Sequence, residues 1–357
     1  MRTYVVAAAA AILFAAAVQA QTAVATPDAP AFPSIRVGGF ADIELHTSSG
    51  NVREGLDLVE LDLYSVARFS ERWSALGEGV AQRAWRQNER ERRLPEFSLE
   101  RLYVEYAPND ALRIEIGQTH TGIVRWNERE HRSRFLQTPI DVPAIARRPQ
   151  DDGAWPLRFV GIWASGRSSG RLGIAYGAGV GGGSGRERDE VPIRDIDRSA
   201  AVLLSLSTSP DALPGLELAV SAYAQRIRTV PEALRERDVT LSANYVSSGT
   251  EVRAEWARMI HIGTISSVRY ETTGYYALFS KRLNGRFQRV RPYVLVDHLD
   301  LAPGEVYLQK VTPENAWATG ARYDVSRRFS LKGEFRSQRA PGGEREQLLG
   351  LQIGLSF

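Results

Sequence analysis

The sequence predicts an all-β protein, a transmembrane antiparallel up-and-down β-barrel of about sixteen strands with short periplasmic turns and long external loops. Three observations carry this. Apolar and polar residues alternate with a period of two over most of the chain after residue 33, the connections between these stretches are by turns short and long, and aromatic residues collect on one parity at the short-turn ends. Helical periodicity is nowhere sustained after the N-terminal segment, and no later apolar stretch approaches the ~18 residues of a spanning helix. A chain that crosses hydrocarbon without helices must close a sheet, because every N–H and C=O needs a partner there and closure removes the unpaired edges.

The elements run as follows. Arg2, the uncharged Ala-rich run from Val5 to Val18 and the small residues about Ala20 read as a secretory signal over residues 1–20. "QTAVATPDAPAFP", residues 21–33, reads as a linker. Strands are expected over 34–45, 56–69, 73–86, 97–106 and 111–119; in the last two, Leu102, Val104 and Tyr106 oppose Arg101, Tyr103 and Glu105, and Ile114 and Ile116 oppose Arg113 and Glu115. Further strands are expected over 156–165, 171–179, 199–208, 215–226, 238–246, 251–260, 267–281 and 286–298. Within these, "DVTLSANY" alternates cleanly, whereas "TGYYALFSK", like "RWSALGEGVAQRAW" in the third strand, fits either parity. The last three lie over 315–325, 328–337 and 347–357. "EREHRSRF" could form a turn or two of helix.

The connections alternate from "TSSGNVREG" and "SERW" through "QNERERRLPE" and "APND" to "SRR" and "SQRAPGGERE", with "HIGTIS" short where a long one is expected. Long polar loops at one rim and tight turns at the other are the pattern of a bacterial outer-membrane barrel with both termini at one side. Phe69, Tyr106, Tyr245, Tyr323, Phe329 and Phe357 fall on the apolar parity beside the short turns, where an interfacial aromatic girdle belongs. The general preference of aromatics for strands does not select one parity at one end.

Composition narrows the function classes. The net charge is +3, and +2 once Arg2 leaves with the signal, too near balance to argue for nucleic acid. With no cysteine there is no disulfide, no thiolate metal site and no lipoprotein anchor. Lys281, Lys310 and Lys332 are the only lysines, so the basic residues are nearly all arginine; genome composition and selected carboxylate or phosphate recognition both account for that.

The N-terminal signal, the meander over residues 34–357, the long loop after the fifth strand and the closing "LQIGLSF" resemble the Gram-negative outer-membrane porin-like β-barrel family. "EIGQTHTGIVRWNE" looks like the Gly-x-x-x-Thr-Pro-x-Gly run of some members, with Gly122 in the proline position. The resemblance implies an outer-membrane location and outer-membrane lipid and lipopolysaccharide as surroundings. It also implies an assembly machinery that reads the terminal strand at Leu351, Ile353, Leu355 and Phe357, small hydrophilic solutes as cargo, and a homotrimer as the family's expectation. In porins the third external loop folds inward as the constriction; here that loop is residues 120–155, which could instead cover the rim.

Only residues 21–33 precede the first strand, so no plug domain is expected, and a barrel of sixteen strands leaves a water-filled channel. Its selectivity would come from charged lumen residues. Wall candidates are Arg101, Glu105, Arg113, Glu115, Arg253, Arg289, Arg291 and Arg322, and loop candidates are Arg125, Arg129, Arg132, Arg134 and Asp141. The two signs nearly cancel, many could pair across strands, and a weak anion preference is the expectation.

Other motifs lead to less. "GAGVGG", Gly177 to Gly182, matches a nucleotide-binding glycine pattern without the following helix, and reads better as a flexible external loop. The five histidines lack ligand spacing, so neither metal nor cofactor is implied. His46, His120 and His261 fall near external strand ends, where a barrel hydrolase of lipid or peptide would place its groups, and Ser48 and Ser49 follow His46. The leading expectation is a passive diffusion porin without enzymatic activity; the alternatives are a barrel enzyme and a structural or adhesive barrel without transport.

Overall fold

The computed structural model describes residues 32–48, 55–86, 96–130, 135–148, 153–183, 200–228, 232–305, 307–339, 343 and 345–357. The expected signal at 1–20, most of the linker, and Arg132 and Arg134 lie outside the described residues.

Sixteen strands form one closed barrel. They are β1 (Ser34–Ser48), β2 (Gly55–Arg68), β3 (Trp73–Arg86), β4 (Glu96–Asn109), β5 (Leu112–His120), β6 (Arg158–Arg167), β7 (Ala175–Gly182) and β8 (Ala200–Thr208). The second half comprises β9 (Leu216–Ile227), β10 (Leu234–Ser247), β11 (Thr250–Gly263), β12 (Arg269–Lys281), β13 (Val290–Asp300), β14 (Glu314–Asp324), β15 (Phe329–Arg339) and β16 (Arg345–Ser356). Each strand pairs antiparallel with its sequence neighbours. β16 returns to β1 with Ile43 opposite Ile353, and the backbones of Gly39 and Phe357 exchange two hydrogen bonds of 3.0 Å. The terminal strand therefore closes the barrel.

The wall is apolar outward. Along β10, Leu234, Glu236, Asp238, Thr240, Ser242 and Asn244 are buried inside, while Arg235, Arg237, Val239, Leu241 and Tyr245 are exposed outside. Valine, leucine and tyrosine facing out over aspartate, serine and asparagine facing in inverts the order of a water-soluble sheet, and only lipid outside and polar partners inside satisfy it. The six girdle aromatics lie on this outward parity; Phe69 and Phe357 are more than half exposed, and the Tyr106 ring packs against Trp73 in a tilted pair with centroids 4.7 Å apart.

Two local readings are corrected. Gly177 to Gly182 is wall, not loop: it forms most of β7, and a Cβ at Gly177 would lie 2.2 Å from the Trp163 ring and one at Gly179 2.6 Å from it. The glycines give the flat space on which Trp163 rests, a packing demand that a loop reading does not contain. Strand β13 starts at Val290 rather than 286 because Gly285–Phe287 forms a 3-10 turn, which leaves Arg289 at the short-turn rim, donating to the Val325 carbonyl.

Candidate functional site: a segment packed inside the barrel

The described residues between β5 and β6, 121–130, 135–148 and 153–157, turn into the barrel because both their apolar and their polar groups find partners on the inner wall. Ile123, Val124, Trp126, Ala144, Ile145 and Trp155 are buried against Leu203, Tyr223, Met259, Tyr276, Leu278, Tyr293 and Leu295, which point inward from β8, β9, β11, β12 and β13. Trp126 meets Tyr276 edge-on at 5.3 Å. A water-filled wall has no use for these side chains; here they make an apolar seam for the segment.

Carboxylates fix the backbone. A short helix α1 (Arg125–Glu130) begins over β11, where the Arg125 amide donates to Glu255 at 2.6 Å and the Trp126 amide to the same carboxylate at 3.3 Å. This places a carboxylate on the unpaired amides of the helix start, where an anion is favourable. Before it, Thr240 donates to the Ile123 carbonyl and Ser221 to the Gly122 carbonyl. Beyond it, the Ile140 amide donates to Glu334 at 3.0 Å, Lys332 donates to the Pro139 carbonyl at 3.0 Å, and Arg322 donates to the carbonyls of Phe135 and Gln137. The Ala144 amide donates to both oxygens of Asp297, at 3.1 and 2.9 Å.

Side-chain ion pairs complete the anchoring. Arg125 and Arg129 both reach Glu217, Glu130 meets Arg253 at 2.6 Å, Asp141 meets Arg336 at 3.6 Å, Arg147 meets Glu314, and Arg148 meets Glu60 at 3.1 Å on the far side of the barrel. The segment is thus tied to β2 as well as to strands from β9 to β15. The pairs covered on both sides, Arg148 with Glu60 and Arg253 with Glu130, are costly to break singly, because the abandoned charge stays buried.

Each wall candidate has a place. Arg253 bridges Glu251 and Glu130, and Arg291 also reaches Glu251, which accepts from Thr138 and Ser280 at 2.7 Å. Arg101 is buried on Glu78, directly opposite in register, and Arg322 pairs with Asp324 and lies over the Phe135 ring. Arg113 contacts Glu105 at 3.4 Å yet keeps 55% of its side chain exposed, and Glu115 accepts from Thr119. Among the loop candidates, Arg129 and Asp141 are about one-third exposed and Arg125 is mostly covered.

Sequence reasoning missed Thr138, Glu251, Glu314 and the apolar seam. The signal for the seam was present: "TGYYALFSK" fits either parity because both its faces are apolar, Tyr275 and Phe279 outward and Tyr276 and Leu278 into the seam.

Of the histidines expected near external strand ends, His120 and His261 are described, whereas the side chains of His46 and Ser48, and the whole of Ser49, lie outside the described residues. His261 sits between Glu236 and Glu305, with 2.8 Å from each ring nitrogen to a carboxylate oxygen, and His120 lies 3.7 Å from Glu100. Among the described residues no cluster of histidine and carboxylate groups is arranged to hold a metal ion.

No known family model matches this sequence, and no curated protein does. Solved structures do match. An anion-selective porin from Comamonas acidovorans superposes with a TM-score of 0.64 at 14% identity, over 91% of this chain and 99% of that one. OmpF of Salmonella typhi, in complex with daunomycin, gives 0.64 at 12% identity over 91% and 98%. The outer membrane channel DcaP of Acinetobacter baumannii gives 0.60 at 11% identity over 94% and 100%. The fold is that of the sixteen-stranded outer-membrane porin-like barrels.

Proposed function

We propose that this protein is an outer-membrane porin, a passive diffusion channel for small hydrophilic solutes whose bore is set by residues 121–157. The observation that carries the reading is the one-sided packing of that segment: it covers the apolar seam of β8 to β13, while charged groups such as Arg113, Glu128, Arg129 and Asp141 keep exposure toward the remaining interior. Charged side chains around a narrow aqueous path select by size and sign. The roles of Arg101, Glu105, Glu115, Arg253, Arg291 and Arg322 are then to hold the wall and segment in place, with Arg113 and Arg129 in contact with passing ions.

Among the described residues, these four exposed charges nearly balance, 55% of Arg113 and 39% of Arg129 against 49% of Glu128 and 34% of Asp141, which supports a weak rather than a strong anion preference. The Comamonas barrel, anion-selective by description, is compatible with this. Export through the N-terminal signal, insertion guided by the strand ending at Phe357, contact with lipopolysaccharide and a homotrimeric state belong to the same proposal. Planar-bilayer recording of the refolded protein tests it: discrete conductance steps are expected, and their absence at every voltage would remove the porin reading. Hydrolysis of lipid or peptide without conductance would favour the enzyme alternative, and neither activity a structural barrel. A reversal potential favouring cations would refute the anion preference alone.

A further inference from the structure

A cavity of about 410 Å³ opens on the inner wall where β2, β3 and β4 reach the short-turn rim, a size in the range of small-molecule pockets, about 300–1,000 Å³. Two rows of inward side chains line it. Register sets Val66, Leu76 and Tyr103 side by side across the three strands, and two residues nearer the rim it sets Arg68, Ser74 and Glu105 side by side. Glu71 and Arg72, on the turn between β2 and β3, join the lining from the rim, and Phe32 closes one edge. The cavity thus has an apolar floor and a charged margin, with Arg68 on one strand and Glu105 on the next strand but one. Neighbouring strands stand about 4.8 Å apart, which separates the backbones of these two residues by about 9.6 Å.

The charges at this margin do not neutralise one another. Inward arginines deeper in the barrel hold carboxylates: Arg101 has Glu78, Arg253 has Glu130 and Glu251, and Arg336 has Asp297 and Glu314. Arg68 and Arg72 are exposed, and among the described residues neither has an acidic partner. Glu105 instead takes the Ser74 hydroxyl at 3.3 Å and Arg113 at 3.4 Å. A carboxylate accepts at about four lone-pair sites, so these two contacts leave it room for an ammonium. The row beneath is apolar at an aqueous mouth, and it gains stability only when apolar surface covers it.

We propose that this cavity binds the zwitterion of an apolar α-amino acid, with the carboxylate on Arg68 and Arg72, the ammonium on Glu105 and the side chain on the row of Val66, Leu76 and Tyr103. Arginine suits the carboxylate, since its planar fork takes both oxygens at once. The two charged groups of an α-amino acid leave one carbon, as the side chain does, which matches a margin of both signs directly above an apolar floor. The inference rests on the porin reading for its meaning as a solute site. Binding at equilibrium is measured without conductance, so failure of either is seen separately.

The full barrel, refolded in detergent, is titrated by ligand-observed NMR with phenylalanine, 3-phenylpropionate, phenethylamine or glycine. These probes keep all three groups, or lack in turn the ammonium, the carboxylate and the apolar side chain. Phenylalanine is expected to bind about tenfold more tightly than each of the others. Arg68→Gln/Arg72→Gln should abolish its advantage over phenethylamine, and Glu105→Gln its advantage over 3-phenylpropionate. A charge-matched control on another turn of the same rim, Arg327→Gln/Arg328→Gln, should bind as the wild type does. Absence of phenylalanine binding to the wild type, or wild-type binding by the Arg68→Gln/Arg72→Gln variant, overturns the site. Equal binding of 3-phenylpropionate overturns the assignment to a zwitterion, and equal binding of glycine overturns the role of the apolar row. Heat-modifiable gel mobility verifies folding; if Glu105→Gln does not fold, Arg68→Gln alone, at an exposed position, decides, and an unchanged advantage over phenethylamine in it overturns the proposal.

Discussion

Asp297 on β13 accepts the Ala144 amide with both of its oxygens and, at 3.0 Å, the Arg336 guanidinium, so one wall carboxylate holds the inner segment by its backbone and β15, the next strand but one, by its charge. Asp297→Ala is expected to free the backbone near residue 144 and leave Arg336 to Glu314 and Asp141. The expected cost is about 3 kcal/mol, the range for breaking one partner of a buried pair. Single-channel recording should show larger and noisier steps; unchanged conductance would mean that this contact does not set the bore.

Among the described residues, Arg113, with 55% of its side chain exposed, is the most exposed of the ion-paired wall arginines that face the interior. Reversing its charge, Arg113→Glu, places a second carboxylate beside Glu105 and is expected to turn the weak anion preference toward cations under a salt gradient, while Arg101→Gln, at a site buried on Glu78, should change stability more than selectivity. A reversal potential insensitive to Arg113→Glu would move the selective region elsewhere.

Phe357 extends the pairing of β16 with β1 by one further step. The Phe357 ring lies over Gly39, where an added Cβ would come within 2.6 Å of it, and the two backbones bond in both directions. Deleting Phe357 is expected to lower outer-membrane levels severalfold while leaving the conductance of correctly inserted molecules unchanged, and Gly39→Val should mimic the deletion by displacing the ring. Normal levels of the truncated chain, measured by membrane fractionation, would contradict this.

At the long-loop rim Glu232 accepts from the Ser266 hydroxyl and from the amides of Ile265 and Ser266, the latter two at 2.5 and 3.0 Å. The Ser266 hydroxyl above all, then the two amides, holds this carboxyl below its ordinary pKa. A lowered folded value means that the contribution is fully present above the unfolded value, about 4.3, and is lost as pH falls through the folded one. Amide exchange at Ile265 and Ser266, corrected for its intrinsic pH dependence, should therefore quicken in strong acid, and Glu232→Gln should show weakened protection already at neutral pH.

The barrel was legible because its code is local: alternation such as that of "DVTLSANY" states which face meets lipid, and the terminal aromatic marks where the wall ends. The inner site was legible only in part. Arg125, Arg129 and Asp141 stood out as charges in a long loop, but their partners Glu217 and Arg336 lie 88 or more residues away, and no spacing in one sequence reports such pairs. Glycine misled for a related reason. The flexibility of "GAGVGG" is a property of the isolated segment, whereas its use beneath Trp163 is set by the neighbouring strand.

The apolar seam gives this wall two solvents. Its outer face is stabilised by lipid, on which aqueous denaturants have little hold, while the contact of Trp126, Ile145 and Trp155 with Tyr276, Leu278 and Leu295 depends on water for its driving force, as the core of a soluble domain does. Cooling or mild urea should therefore act on the interior first, loosening the inserted segment inside an intact cylinder. The molecule is a small water-made core enclosed by a lipid-made shell, and the two need not melt together.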